Sequence, residues 1–192
     1  GIPDGVLNCV TSLNGSKIGS VLTSDTRVKK VTFTGSTAVG KVLYRQCAAT
    51  VKKISLELGG NAPFIVFDDA NLEAAIDGLL QSKFRNAGQT CVCANRILVQ
   101  SDIHDQFVRV FASRVSALSV AEGTVEGSEI GPLINENGVK KVQTHINDAV
   151  AKGASLIIGG KPHKAGPLFF SPTILTDVTM SMQMASEETF GP

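Results

Sequence analysis

Tryptophan is absent, tyrosine occurs once, and no block of like charge interrupts the chain. A nucleic-acid surface needs clustered lysine and arginine with aromatics nearby. Here 18 basic residues stand against 17 acidic ones, and the pairs Lys29-Lys30, Lys52-Lys53 and Lys140-Lys141 are isolated. This argues against a nucleic-acid partner. No apolar run approaches the ~18 residues of a membrane span, so no membrane partner is expected, and no signal-peptide pattern opens the chain. The four cysteines, at 9, 47, 91 and 93, lack the spacing of a secreted disulfide framework, which points to a reducing compartment: the cytoplasm, or the mitochondrial matrix in a eukaryote. His104, His145 and His163 have no cysteine or carboxylate at ligand spacing. The Cys91-x-Cys93 pair lacks a second ligand pair, so no metal is expected. The sequence starts at Gly1 without methionine and stops at Phe190-Gly191-Pro192; both ends read as cuts through a longer protein.

What is present is a well-packed composition: 43% hydrophobic, 18% charged and 19 glycines. That suits a folded α/β protein, and 192 residues suffice for one domain or parts of two. Short β-branched runs alternate with helical patterns, the signature of parallel strands joined by crossover helices. Strands are predicted at 6–10, 30–34, 53–58, 64–67, 97–100, 155–158 and, as an edge strand, 172–175. Helices are predicted at 16–23, 36–49, 71–84, 104–118 and 136–152. Within 71–84, Leu72, Ala75, Ile76, Leu79 and Leu80 share one face, and Asn71 suits an N-cap. Phe107, Phe111 and Leu118 should bury the next helix, and Val139, Val142, Ile146 and Val150 the last. The breakers Gly59-Gly60-Asn61-Ala62-Pro63 mark a boundary between domains at 1–60 and 61–192.

Four segments could carry chemistry. Phe33-Thr34-Gly35-Ser36-Thr37-Ala38-Val39-Gly40 follows a strand and opens a helix. A helix start offers free N–H groups and the positive dipole end to an anion. Thr37 occupies the second-glycine position of the dinucleotide fingerprint, so the segment is either a phosphate site or an ordinary capped turn. Glu57-Leu58-Gly59-Gly60 ends a strand in a carboxylate, which either faces water or serves as a base at the sheet rim. Phe84 to Cys93 places Cys91 on a polar, glycine-containing loop, as a nucleophile activated by local dipoles or as a structural thiol. Glu187-Glu188-Thr189-Phe190-Gly191-Pro192 alone indicates a turn.

Together, Phe33-Thr34-Gly35-Ser36-Thr37, Glu57-Leu58-Gly59-Gly60, Gly88-Gln89-Thr90-Cys91 and Glu187 to Pro192 resemble the aldehyde dehydrogenase superfamily in order and separation, along the whole chain. The likeness is greatest to succinate-semialdehyde dehydrogenases, at Leu56 to Ala70 and Ser82 to Arg96. The resemblance implies a three-layer α/β fold, with the end of a Rossmann-type NAD(P)-binding domain at 1–60 and the first part of the catalytic domain at 61–192. It implies Cys91 as nucleophile and Glu57 as general base. It places Thr34, Gly35, Ser36, Gly40, Leu58 and Gly59 at the cofactor, with Glu188 on the nicotinamide ribose and Phe190 beside the nicotinamide. Arg85 matches an arginine that pairs with the substrate's distal carboxylate; a surface salt bridge is the alternative. Cys93 matches the second cysteine of a redox pair. A disulfide between residues two apart is strained and easily reduced, but Cys93 could equally be a packing residue.

The implied reaction is oxidation of an aldehyde, most naturally succinate semialdehyde, with NAD or NADP and no metal. Cys91 forms a thiohemiacetal, hydride leaves to the cofactor, and Glu57 activates water against the thioester. A homo-oligomer is implied for the whole enzyme. Family members run to several hundred residues, so the 192-residue chain alone is expected to have little or no activity. Competing readings are a dehydrogenase for another aldehyde, an acylating relative, or a non-catalytic scaffold of the same fold. Relatives of the acylating type lack the base that Glu57 supplies.

Overall fold

Where the chain can pair a strand with a neighbour and cover it with a helix, it does so twice over. A computed structural model describes residues 1–192. The chain divides into two compact units, Gly1–Gly59 and Gly60–Pro192.

The first unit contains α1 (Gly15–Ser24), β1 (Lys30–Gly35), α2 (Thr37–Ala48) and β2 (Lys53–Leu58). β1 and β2 run parallel, with Val31 opposite Ile54 and Thr34 opposite Glu57. α2 is the crossover that parallel pairing requires. Asn14 caps α1 by accepting from the Lys17 N–H at 3.0 Å. Ser36 caps α2 by accepting from the Val39 N–H at 3.3 Å. A β-carbon at Gly40 would sit 2.7 Å from Leu58 Cδ2, so glycine lets α2 lie close on β2. Lys52 is buried, and its ammonium donates to the carbonyls of Asp25 at 2.6 Å and Val28 at 2.9 Å. Those bonds tie the α1–β1 connection to the start of β2 and satisfy the buried charge.

The strand expected at Val6–Val10 does not form; no residue before α1 is in a strand. Val6, Leu7 and Val10 stay exposed. A strand exists only where another strand takes up its backbone groups, and β1 pairs with β2 alone.

The second unit repeats the device with β3 (Ala62–Val66), α3 (Leu72–Phe84) and β4 (Ala94–Val99), again a parallel pair. The stripe anticipated on α3 is the buried one: Ile76 and Leu79 are fully buried, with Leu72, Ala75 and Leu80 packed at the edge of the core. Each of the two fully buried side chains stabilises the fold by roughly 1.5–3 kcal/mol. Asn71 Oδ1 accepts from the Ala74 N–H at 3.0 Å, as an N-cap should. α4 (Ser101–Ser116) adds Phe107, Phe111 and Val115 to the same core. The Phe111 ring stands 6.3 Å from Phe84 and 5.7 Å from Phe107. Leu118 lies beyond this helix and is only partly buried.

α5 (Glu136–Ala151) buries Val142, His145, Ile146 and Ala149. Val150 is exposed, contrary to the expected stripe. Continuing by three residues from Ile146 reaches Ala149, and continuing by four reaches Val150; the helix turns the smaller residue inward, where it packs with Ala154 and Met182. β5 (Ser155–Ile158) and β6 (Ile174–Thr176) form an antiparallel pair. β6 starts two residues after the expected Pro172, because proline has no N–H for a ladder. α6 (Gln183–Ser186) is a single turn with no sequence signal. No helix is long and apolar enough to cross a membrane.

Candidate active site

In the first unit, the functional candidates collect at the carboxyl ends of β1 and β2. The register sets Thr34 beside Glu57 and Gly35 beside Leu58. Thr34, Ser36 and Glu57 are exposed there. The carboxyl end of a parallel sheet is where α/β folds bind ligands, and here it adjoins the N-terminus of α2. Ser36 uses an oxygen lone pair for the cap, which leaves its hydroxyl hydrogen for an anion. A β-carbon at Gly35 would meet the Phe33 ring at 2.5 Å, so the backbone stays low at this edge.

In the second unit, α3 ends at Phe84 and the chain makes a single tight turn, Arg85–Gly88. Asn86 (φ 52°) and Ala87 (φ 55°) are left-handed without being glycine. Such conformations cost on the order of 1 kcal/mol each and persist only where the surroundings impose them. The surroundings are specific. Ala87 is buried. Gln89 donates from Nε2 to the Pro132 carbonyl at 3.2 Å and accepts on Oε1 from the Ile134 N–H at 2.9 Å. Gly88 has φ +73°, and a β-carbon on it would collide with the Gly191 carbonyl. Gly88→Ala should therefore destabilise the second unit by about 1–3 kcal/mol or more. Urea denaturation checks this; an unchanged midpoint would show that the loop relaxes freely.

On this held loop Cys91 is exposed and Cys93 is buried, both as free thiols. The Cys93 sulfur lies 2.8 Å from the Thr90 hydroxyl and donates to the Lys83 carbonyl at 3.5 Å. Pairing with Cys91 would require it to leave that pocket. Lys83 donates to Asn95 Oδ1 at 2.7 Å; desolvation lowers its pKa to about 8, with Cys93 acting in the opposite sense. Arg85 is exposed and belongs to none of the salt bridges of the structure, so its guanidinium is open to a ligand.

The C-terminal segment closes on this loop. Glu188 Oε1 accepts from the Gly60 N–H at 3.2 Å. Asn61 Nδ2 donates to the carbonyls of Met184 at 3.2 Å and Ala185 at 3.1 Å. A β-carbon at Gly60 would lie 3.5 Å from the Cys91 carbonyl. Cys91, Gly60 and Glu188 thus belong to one neighbourhood of the second unit. A cavity of about 860 Å³ lies elsewhere in that unit: Ile65, Phe107, Ile174 and Met184 line it, while Cys91, Arg85, Glu188 and Phe190 do not. Its walls are mostly apolar, and neither Cys91 nor Cys93 lines it.

The chain matches the aldehyde dehydrogenase family model over residues 1–192. It belongs to the aldehyde dehydrogenase family. It is 58% identical to a 3-sulfolactaldehyde dehydrogenase of Pseudomonas putida, all of the chain aligning with 39% of that protein. It is 55% identical to a succinate-semialdehyde dehydrogenase [NADP(+)] of Escherichia coli (strain K12), again over the whole chain and 40% of the relative. The crystal structure of succinate-semialdehyde dehydrogenase from Burkholderia pseudomallei superposes with a TM-score of 0.97 at 57% identity, covering 100% of this chain and 40% of that one. The chain spans about two fifths of the length of the curated relatives it matches. The sequence alone does not mark Gln89, Asn61 or His145 as anchors. The legible signal was for His145, which stands three residues after Val142 on the buried stripe of α5.

Proposed function

We propose that the chain is the central portion of an NAD(P)-dependent aldehyde dehydrogenase acting on a short aldehyde with a distal anionic group, succinate semialdehyde first among them. The observation that carries the reading is an exposed Cys91 on a loop pinned by Gln89, Gly88 and the segment bearing Glu188. A nucleophile must be reachable, yet its backbone must not wander.

The residues suit the cofactor. The N-terminus of α2 and the Ser36 hydroxyl present donors to a pyrophosphate. Glu188 presents a carboxylate that suits ribose hydroxyls, and Phe190 an exposed ring that suits the nicotinamide. Thr34, Gly35, Gly40, Leu58 and Gly59 complete the cofactor side. NAD(P)⁺ supplies the hydride acceptor. Cys91 thiolate adds to the aldehyde carbon, and its own N–H donates to the developing oxyanion. After oxidation the acyl group is held as a thioester on the Cys91 sulfur. Glu57 takes a proton from water, whose oxygen attacks the thioester and frees the acid and the thiolate.

Arg85 sets the substrate class. The names of the two relatives denote aldehydes carrying a carboxylate or a sulfonate, and a guanidinium grips either through paired N–H groups. In the full-length protein, NADP⁺ or NAD⁺ reduction is measured with succinate semialdehyde and with butanal. Arg85→Ala should raise KM for succinate semialdehyde by about 10- to 100-fold, the scale of a charge-assisted hydrogen bond, and leave KM for butanal within about twofold. Equal loss on both would remove Arg85 from the substrate site. No reduction of either nucleotide by the wild type would overturn the function. A homo-oligomer is part of the same reading.

A further inference from the structure

α5 turns four residues inward, Val142, His145, Ile146 and Ala149, and one of them is an imidazole. His145 is 2% exposed. A buried imidazole needs a partner for each nitrogen. Nδ1 lies 2.8 Å from the Thr189 hydroxyl, and Nε2 lies 3.5 Å from Glu187 Oε2. A ring protonated on Nε2 faces the carboxylate with its N–H and leaves Nδ1 to accept from the threonine hydroxyl. Desolvation first, and Lys141 second, lower the His145 pKa, against the pull of Glu187 and Asp148. The ring is accordingly neutral at pH 7.

Glu187 and Thr189 are alternate residues, and Glu187 is extended at φ −105°, ψ 139°. Along extended chain, successive side chains point to opposite sides and alternate ones share a side. Holding 187 and 189 on one imidazole turns 188 and 190 the other way. His145 and Thr189 line the apolar cavity, whereas Glu187, Glu188 and Phe190 do not. Glu188 instead reaches the Gly60 N–H, and Phe190 is partly open to solvent.

We propose that His145 is a positioning residue for the cofactor: by clamping Glu187 and Thr189 it aims Glu188 and Phe190 together at the nicotinamide ribose and ring. This rests on the proposed function, in which Glu188 and Phe190 meet the cofactor. Lys141, also on α5, reaches the same Glu187 oxygen at 3.9 Å, but on this helix only His145 meets both Glu187 and Thr189.

The test uses the full-length protein with His145→Phe, His145→Asn and Thr189→Val. Asparagine keeps an amide near the Nδ1 position, and Thr189→Val removes the same bond with little change of volume. In His145→Phe and Thr189→Val, amide exchange of residues 187–191 should accelerate and KM for NAD(P)⁺ should rise, each about tenfold, the equivalent of ~1.4 kcal/mol. KM for the aldehyde should stay within about twofold, and His145→Asn should recover most of the loss. Unchanged exchange at 187–191 would overturn the clamp. Faster exchange with unchanged cofactor KM, or kcat and both KM values drifting together with Tm, would overturn the positioning role. A wild type that reduces no NAD(P)⁺ would instead sink the functional reading, and the exchange comparison would still decide the clamp separately.

Discussion

Cys91→Ala in the full-length enzyme should lower kcat by at least ~10⁴-fold, since the reaction needs a covalent bond that no neighbouring side chain can supply. Cys93 is the nearest thiol in sequence, but it is buried and its sulfur is engaged with Thr90 and the Lys83 carbonyl. The loss should be chemical rather than structural. Cys91 is exposed and its side chain makes no hydrogen bond that folding would forfeit, so stability should move by no more than ~0.5 kcal/mol. Steady-state NAD(P)H production and thermal melting of the same preparation separate the two effects. More than a tenth of wild-type turnover in a folded variant would remove Cys91 from the chemistry.

Glu57→Gln should cut steady-state kcat by about 10²- to 10⁴-fold, the usual contribution of a positioned base, while sparing the first turnover. The carboxamide fills the same space but cannot accept the proton of the hydrolytic water. Acylation of Cys91 needs no such base, so a burst near one NAD(P)H per site should survive and the thioester should accumulate. Glu57 is exposed at the end of β2 opposite Thr34, so the substitution removes no packing. Rapid-mixing absorbance at the nicotinamide band reads burst and steady state in one trace. A burst lost in proportion to the steady state would place Glu57 before the thioester, or outside the site.

Much of the fold was legible because its causes are local. Leu72, Ala75, Ile76, Leu79 and Leu80 recur at helical spacing, and that stripe is the one α3 buries. Asn71 precedes it and caps it. The β1–α2–β2 unit follows from two β-branched runs flanking a helical pattern. The errors have causes too. Val6–Val10 has strand composition but no strand beside it. On α5, spacing by three and by four both fit, and packing chose Ala149 over Val150. Resemblance to a family is what assigns a nucleophile to Cys91, a base to Glu57 and a ribose contact to Glu188; their spacing alone left each one open.

By itself the sequence determined roughly where five of the helices lie, most of the face that α3 buries, and which side chains have acid, base or nucleophile chemistry. Hydrogen-bonded turns, caps and periodicity act within a few residues, so they are written in the local order. Tertiary structure alone decided that the Gly60 N–H meets Glu188 across 128 residues, that Gly88 lies under the Gly191 carbonyl, and that His145 meets Thr189 across 44. Those meetings depend on how α3 and α5 pack, and packing sums many weak contacts among residues distant in sequence; no short stretch of chain encodes that sum.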